Sequence, residues 1–259
     1  MILSNEQLKR YERQIIMDTI GKEGQEKLCS SKVLVIGTGG LGSPAALYLA
    51  AMGVGTLGFV DSDCVEISNL QRQIIHGTPD IGKPKVESAR DRINQLNPHV
   101  KVEVYKTRLS RNNVMGIISK YDLVVDAVDN FPTRFLVNDA CFFAGKPLVE
   151  AGVLRWEGQV MTIFPGEGAC YRCLFKEPPL PENVEDPGEA GVLGVIPGII
   201  GTLQALEAVK IILGRGKNLK GRMLIFDGLN SSFREIEVPK NPRCPLCGEE
   251  PKITSFEGK

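Results

Sequence analysis

The clearest pattern in the chain is Val33-Leu-Val-Ile-Gly37-Thr-Gly39-Gly40-Leu-Gly42. An apolar run leads into a glycine-rich loop, and the apolar stretch that follows, residues 43–52, is typical of a helix. A loop in this context lets the backbone approach a phosphate at a helix N-terminus. The pattern therefore predicts a nucleotide-binding protein, but it does not distinguish ATP from NAD.

The same alternation of strand and helix continues along the chain. Apolar runs at 56–61, 102–105, 123–127 and 147–151 predict strands, and the segments 83–96 and 133–144 between them predict helices. This order is typical of an α/β, Rossmann-like fold with a mostly parallel sheet and helices on both faces. Ligands of such sheets bind beyond the carboxyl ends of the strands.

The pattern changes at both ends of this region. Ser4 and Gln7 form a capping box that predicts a first helix to about residue 17, and residues 27–31 are expected to lead into the first strand. Beyond residue 152, runs at 159–164, 223–226 and 233–238 predict antiparallel strands around a helix at 199–213. We expect one domain over 1–259, with a helical arm at 1–31, a nucleotide-binding half at 32–152 and a second half at 153–259. The Pro-, Glu- and Gly-rich segment 176–191 predicts a surface connection.

Polar residues follow the predicted strands where a ligand would bind. Asp61 lies 19 residues after Gly42, a spacing at which a carboxylate holds a ribose hydroxyl. The segment Ser68-Asn-Leu-Gln-Arg-Gln73 and Lys85 add cations and amides that suit a reacting phosphate, although a solvated loop explains them equally well. Asp129-Asn130 follows the strand at 123–127 and offers either a magnesium ligand or a cap for the next helix.

Four of the seven cysteines form two C-x-x-C pairs, Cys170-Tyr-Arg-Cys173 and Cys244-Pro-Leu-Cys247. Four thiolates predict a closed, structural zinc site that ties the C-terminal region to a distant loop. A redox C-x-x-C is the alternative, but neither pair follows a buried strand and opens a helix. The other three cysteines, Cys29, Cys64 and Cys141, are expected to be small buried residues.

The overall composition excludes several classes of function. The 31 basic and 31 acidic side chains cancel, so long-range attraction to nucleic acid or to an acidic membrane is not expected. The weakly polar stretch 190–206 contains glycines and a proline and runs into Gln204 and Glu207, which favours a buried helix over a membrane span. The polar start MILSNEQLKR lacks the apolar segment of a secretory signal, so we expect a cytoplasmic protein. With two histidines and no G-x-S-x-G, the sequence does not favour a hydrolase.

Taken together, these motifs resemble the ThiF/MoeB/HesA family of ubiquitin-activating-like adenylyltransferases. The resemblance covers nearly the whole chain and includes Arg10-Tyr-Glu-Arg13-Gln14, Asp80-Ile-Gly-Lys-Pro-Lys85, Ala190-Gly-Val-Leu-Gly194 and Gly201-Thr-Leu-Gln-Ala205. It implies ATP- and magnesium-dependent adenylation of the C-terminal Gly-Gly carboxylate of a small ubiquitin-like sulfur carrier of a molybdopterin or thiamine pathway.

The resemblance also implies roles for individual residues. It makes Arg13, Arg72, Lys85 and Asp129 catalytic, with Asp129 on magnesium and Arg13 reaching across a homodimer into the partner's site. It places the nucleotide against Gly37, Gly39, Gly40, Gly42, Asp61, Asp63, Ser68, Asn69, Leu70, Gln71, Arg72, Gln73, Lys85, Asp129 and Asn130. It assigns Cys170, Cys173, Cys244 and Cys247 to zinc.

The sequence departs from the family pattern at one position. Many members of the family it resembles carry a cysteine three residues before the Ala190-Gly-Val-Leu-Gly194 motif, where this chain has Pro187. We therefore expect the reaction to stop at the acyl-adenylate, with an external persulfide donor attacking it. Two other readings of the motifs remain: an NAD- or FAD-dependent oxidoreductase, and a non-catalytic, zinc-stapled partner of an activating complex.

Overall fold

In the computed structural model, which describes residues 2–179 and 190–256, eight strands form one sheet in the order β3-β2-β1-β4-β5-β6-β7-β8. The strands are β1 (Lys32–Ile36), β2 (Thr56–Val60), β3 (Lys101–Tyr105), β4 (Leu123–Asp126), β5 (Leu148–Leu154), β6 (Glu157–Ile163), β7 (Arg222–Asp227) and β8 (Ser232–Glu237). The first five pair in parallel, and β5 to β8 pair antiparallel. The mostly parallel sheet with an antiparallel C-terminal extension is confirmed.

Helices cover both faces of the sheet. They are α1 (Asn5–Arg10), α2 (Glu12–Ile15), α3 (Gly21–Ser30), α4 (Gly42–Ala51), α5 (Lys85–Leu96), α6 (Val114–Ile118), α7 (Phe131–Ala144), α8 (Tyr171–Leu174) and α9 (Val195–Leu213). In β1, Val33 and Val35 pack toward α4, α5 and α9, whereas Leu34 and Ile36 pack toward α6 and α7. A strand buried on both faces has no polar side, which explains its uninterrupted apolar run.

Strand β1 lies between β2 and β4, and the chain winds away from it in opposite directions. The loops after β1 and β4 therefore separate at their carboxyl ends and leave a crevice, which is where α/β sheets bind their ligands. The loop after β1 is the glycine-rich segment, and the turn after β4 carries Asp129. The topology thus brings two of the predicted ligand-binding segments side by side.

The structure corrects one prediction about the N-terminal arm. The helix expected to reach residue 17 is interrupted at Tyr11, whereas residues 27–30, the end of α3, lead directly into β1 as expected. Tyr11 is buried because its ring packs where a side chain at Gly53 would lie, and its hydroxyl accepts a hydrogen bond from Asn97 Nδ2 at 2.9 Å. This tertiary anchor overrides the helical pattern of the arm.

A second correction concerns Cys64. Cys29 and Cys141 are buried as expected, whereas Cys64 is exposed. It lies just beyond β2, in the segment that leads toward α5, and its backbone forms an isolated bridge with Pro84. A residue in such a connection at the rim of the sheet is not covered by the helices that bury the strands.

Helix α9 is long and apolar enough to cross a membrane by length and composition, but half of its most apolar window is buried inside the protein. It packs against α4, β5 and β6. Gln204 donates from its Nε2 to the carbonyl oxygens of Asp126 (2.7 Å) and Val149 (3.2 Å). These contacts make α9 a core helix of the fold. Most of the predicted connection 176–191, including Pro187, lies outside the described residues.

Candidate nucleotide site and metal centre

The glycine loop occupies the carboxyl end of β1 and opens α4. Gly37 has a φ of 89°, and a Cβ there would lie 2.8 Å from the carbonyl oxygen of Ala127 after β4. A Cβ at Gly42 would overlap the carbonyl oxygen of Gly37. Glycine at both positions therefore permits the tight turn and its contact with β4. Gly39 faces Gln73, and Gly40 faces Pro197 and the stem of Arg72.

Asp61 supports this loop from the end of β2. Its Oδ2 accepts hydrogen bonds from the Thr38 amide (2.9 Å) and hydroxyl (3.0 Å), and its Oδ1 accepts one from the Asp63 amide (3.0 Å). The carboxylate is only partly buried, so acceptor lone pairs remain for a ligand hydroxyl. The structure thus places Asp61 beside the loop, as the spacing predicts.

The sequence reasoning missed His76, which also holds the glycine loop. Its Nε2 lies 3.0 Å from the Thr38 carbonyl oxygen and its Nδ1 lies 2.8 Å from the Ser88 hydroxyl. Because a carbonyl oxygen only accepts, Nε2 carries the proton and Ser88 donates to Nδ1. Burial lowers the pKa of this imidazole, which keeps the ring neutral. A single histidine outside any motif gave no signal of this role.

Lys85 begins α5 with its side chain almost completely buried and its Nζ 3.1 Å from Asp63 Oδ2. Its amide also donates to the Asp63 carbonyl oxygen at 2.9 Å. The Asp63 side chain is 65% exposed, so this ion pair opens to solvent on the Asp63 side. Lys85 and Asp63, both predicted site residues, therefore form an ion pair next to Asp61.

The segment after β2 folds into a 3₁₀ turn, Ile67–Asn69, that turns back toward the loop. Asn69 Oδ1 accepts from the Glu66 amide at 3.1 Å, and Arg72 Nη1 donates to the Ser68 carbonyl oxygen at 3.1 Å. Gln73 is buried, and its Oε1 has no hydrogen-bond partner among the described residues. Gln73 Nε2 is the atom that lies against Gly39 of the loop, and the unpartnered oxygen of the same amide is consistent with a ligand that donates to it.

Leu70 and Gln71, the other predicted residues of this segment, differ in their exposure to solvent. Leu70 is partly buried, whereas Gln71 is exposed and its backbone packs against Gly194, where a Cβ would overlap the Gln71 carbonyl oxygen. The segment after β2 thus packs directly against the residue that precedes α9.

The turn after β4 separates the two possible roles of Asp129-Asn130. Asn130 is the N-cap of α7: its Oδ1 accepts from the Thr133 amide at 3.0 Å and the Thr133 hydroxyl at 2.7 Å. Asp129 is exposed, and its carboxylate makes no hydrogen bond within the described residues. The helix-cap alternative therefore holds for Asn130, while Asp129 remains available to a ligand.

A buried charged cluster, also missed by the sequence reasoning, lies beneath this turn. Arg134 of α7 is paired with Glu150 of β5, and Asp126 of β4 is the register neighbour of Glu150 on the same face. Burial raises the pKa of the Asp126 carboxyl to about 7, and Asp126 Oδ2 and Glu150 Oε2 lack partners in the described part of the chain. The only sequence signal was a carboxylate closing an apolar strand.

Arg13 makes no hydrogen bond or ion pair with any of the described residues. It lies exposed on α2, while the neighbouring Gln14 fixes that helix by donating to Gln25 Oε1 at 2.9 Å. The arm thus presents Arg13 on the protein surface.

The two C-x-x-C pairs meet in space, as their pattern predicts. The Sγ atoms of Cys170, Cys173, Cys244 and Cys247 all lie within 4.8 Å of one another, and four of the six separations are 3.4 to 3.9 Å. Sulfurs about 2.3 Å from a tetrahedral zinc would be about 3.8 Å apart. The donor set and its spacing therefore fit a closed four-thiolate metal site, and the redox alternative is not needed.

Helix α7 connects this metal centre to the nucleotide site. Arg172, between the first two cysteines, forms a bidentate pair with Asp139, both contacts being 2.7 Å, and stacks over Phe135 at 4.8 Å. Asn138 Oδ1 accepts from the Tyr171 amide at 2.9 Å. The helix that Asn130 caps therefore also holds, through Asn138 and Asp139, the two residues between Cys170 and Cys173.

The fold and site define a class of protein: a doubly wound α/β nucleotide-binding domain with an antiparallel extension and a four-cysteine centre. The chain belongs to the ThiF family, whose model matches residues 11–246. The resemblance drawn from the motifs is thereby confirmed.

Relatives with stated activities match over most of their length. A sulfur carrier protein adenylyltransferase of Thermus thermophilus is 51% identical, covering 96% of this chain and 93% of the relative. A SAMP-activating enzyme E1 of Haloferax volcanii is 52% identical, covering 94% and 90%. Among solved structures, PaaA superposes with a TM-score of 0.78 at 27% identity, covering 93% of this chain and 76% of that one.

Proposed function

We propose that this protein is an adenylyltransferase that uses ATP to activate the C-terminal carboxylate of a small ubiquitin-like sulfur carrier. The observation that carries the proposal is a glycine loop at a helix N-terminus with two cations and a carboxylate on the segments around it. Gly40 of the loop lies against the stem of Arg72, Lys85 pairs with Asp63 beside the Asp61 carboxylate that holds the loop, and Asp129 is exposed in the turn after the adjacent strand β4. The relatives named for this activity support the same reaction. An NAD- or FAD-dependent oxidoreductase would leave both cations without a role.

The reaction needs charge compensation more than acid–base chemistry. A carrier carboxylate oxygen forms a bond to the α-phosphorus of ATP while the bond between that phosphorus and the bridging oxygen of pyrophosphate breaks, so no proton has to move. The glycine loop holds phosphate oxygens through its amides. Arg72 and Lys85 would each stabilise the developing negative charge by about 3 to 4 kcal/mol, as an oxyanion donor does.

Asp129 is our candidate for holding magnesium. It offers an exposed carboxylate without a protein partner in the described ranges, at the carboxyl edge of the sheet, which suits an ion shared between one carboxylate and substrate phosphates. When bound, the ion would neutralise charge on the phosphates. Asp61 and Asp63 complete the ribose side of the proposed nucleotide site.

The four cysteines are assigned to a structural zinc ion. A closed set of four thiolates leaves no open position for a substrate, so the metal would stabilise the fold without entering the reaction. We accordingly divide the chain into an arm at 1–31, a nucleotide-binding half at 32–152 and a carrier-binding and zinc half at 153–259. Thiolate chemistry of this kind suits a reducing compartment, which supports a cytoplasmic location.

We further propose a homodimer in which Arg13 of one subunit completes the site of the other. The support is geometric, because Arg13 points outward from a helix that Gln14 and Tyr11 fix in place. Mixing inactive Arg13→Ala and Asp129→Ala chains should restore activity, since one site of each heterodimer carries neither substitution. No recovery despite demonstrated subunit exchange would mean that Arg13 acts within its own chain or not at all.

With Pro187 replacing the family's loop cysteine, we propose that an external persulfide donor attacks the acyl-adenylate directly. Intact mass after incubation with ATP and carrier should then show no reductant-sensitive adduct between enzyme and carrier. If such an adduct forms, the proposal is wrong, and Cys64→Ala tests whether this exposed thiol is the acceptor.

The proposed function as a whole is tested by exchange of radiolabelled pyrophosphate into ATP, measured with and without candidate carriers. We expect exchange only with a Gly-Gly carrier, and calorimetry should show ATP binding with negligible NAD affinity. Tight NAD binding without ATP binding would instead establish the oxidoreductase reading.

A further inference from the structure

The backbone on both sides of Asp129 is fixed by side chains of the protein interior. The Val128 amide donates to Asp126 Oδ1 at 3.2 Å, and the Val128 carbonyl oxygen accepts from Arg134 Nη2 at 2.8 Å. On the other side, Asn130 is held as the cap of α7. Asp129 has no side-chain hydrogen bond within the described residues, so the backbone, which sets the direction of its Cα–Cβ bond, is the part of Asp129 that the protein holds in place.

Arg134 is the residue on which these contacts converge. Its side chain is 9% exposed, it pairs with Glu150, and it also donates to the Ala151 and Val128 carbonyl oxygens. A planar guanidinium can serve a carboxylate and two carbonyls at fixed angles, whereas a lysine ammonium is a point charge on a flexible stem. The geometry therefore requires arginine specifically, and not only a positive charge.

We propose that Arg134 is a positioning residue that aims Asp129 at the metal, which rests on the proposed magnesium role of Asp129. The N-terminus of α7 is already satisfied by its Asn130 cap, and the fold gains little from burying an ion pair that apolar residues could replace. The contact with Val128 nevertheless joins the buried pair to the residue immediately before Asp129. Outer-shell partners of this kind typically change metal affinity without touching the metal.

The test compares Arg134→Lys with a matched control in the full-length protein. Arg222 also joins a carboxylate, Glu235, to a backbone carbonyl, that of Asn218, but it lies on β7 in the antiparallel extension. Binding of Mn²⁺ in the presence of ATP is measured by electron paramagnetic resonance, and binding of ATP in chelator is measured by calorimetry.

We expect Arg134→Lys to weaken Mn²⁺ binding by about 10- to 100-fold, with metal-free ATP affinity unchanged. Arg222→Lys should change neither quantity. Mn²⁺ affinity equal to that of the unsubstituted protein in a folded Arg134→Lys variant would overturn the proposal. Equal losses of metal and metal-free ATP binding would do the same, because they indicate general damage to the site.

Two further variants keep the result interpretable. If Arg134→Lys does not fold, Asp126→Ala loosens the same turn from its other side while removing a buried carboxyl, and it should weaken Mn²⁺ binding too. Asp129→Ala tests the magnesium assignment of Asp129 separately from the positioning role of Arg134. Unchanged Mn²⁺ affinity in Asp129→Ala means that the magnesium assignment itself is wrong, whereas a loss there but not in Arg134→Lys or Asp126→Ala rejects only the positioning role.

Discussion

Replacing Lys85 with methionine should slow carrier-dependent ATP–pyrophosphate exchange by roughly 10²- to 10³-fold while leaving the protein folded. The expected loss in rate corresponds to about 2.7 to 4 kcal/mol of transition-state stabilisation, the range found when one preorganised donor is removed from a developing anion. Exchange is measured at saturating ATP and carrier, so that the effect is read as a change in kcat.

The structure indicates why stability should change far less. Methionine retains the buried part of the Lys85 stem, and the interaction that is lost is an ion pair with a carboxylate that is 65% exposed. Pairs that open to solvent contribute about 0 to 1 kcal/mol. The free energy of unfolding in urea should therefore fall by no more than about 1 kcal/mol. Asp63→Asn removes the same ion pair but keeps the cation. It therefore separates the effect of the ion pair on stability from the effect of the Lys85 charge on the exchange rate.

Lys83→Met is the matched control for this experiment. Lys83 lies two residues earlier and pairs with Asp91 of α5, the Nζ–Oδ2 distance being 2.5 Å, so its charge is held by a residue outside the predicted site. Its removal should cost similar stability with no loss of exchange. An exchange rate in Lys85→Met equal to that of Lys83→Met would refute the assignment of Lys85 to the reacting phosphates.

Three other outcomes are expected. Burial holds the pKa of His76 in the folded protein below 6.5, so the free energy of unfolding should fall as the pH drops from 6.5 through that lower pKa. Urea unfolding measured at several pH values should show a smaller fall in His76→Gln, which has no imidazole to protonate. Cys244→Ser should lower the metal content from near one zinc per chain and reduce the melting temperature before it affects turnover per folded molecule; a stable, metal-free native protein would contradict the zinc assignment. Gly201→Ala should destabilise the protein by about 1 to 3 kcal/mol because its Cβ would overlap the Leu41 carbonyl oxygen, whereas Gly198→Ala, with open space around it, should not; equal unfolding midpoints in urea would show that α9 can shift without cost.

Local patterns in the sequence were enough to predict the elements that build the nucleotide site. The apolar run of β1 and the glycines after it predict a strand, a loop and a helix because each signal lies within a few residues. The C-x-x-C spacing similarly predicts two halves of a metal site, each formed locally at a turn. Where a helix ends also depends on tertiary contacts, as Tyr11 shows: its contacts with Gly53 and Asn97 interrupt a helix that the local sequence alone would continue.

Only the tertiary structure decided which distant groups meet. The pairing of Arg134 with Glu150, the contact of His76 with the glycine loop and the meeting of Cys170 with Cys244 join residues that are 16, 38 and 74 positions apart. No periodicity records such pairs, because their proximity follows from strand order and from how helices pack across the sheet. The sequence by itself determined which side chains could bind a nucleotide and a metal, whereas the packing determined which of them are held in place and which, like Asp129, are left exposed to a ligand.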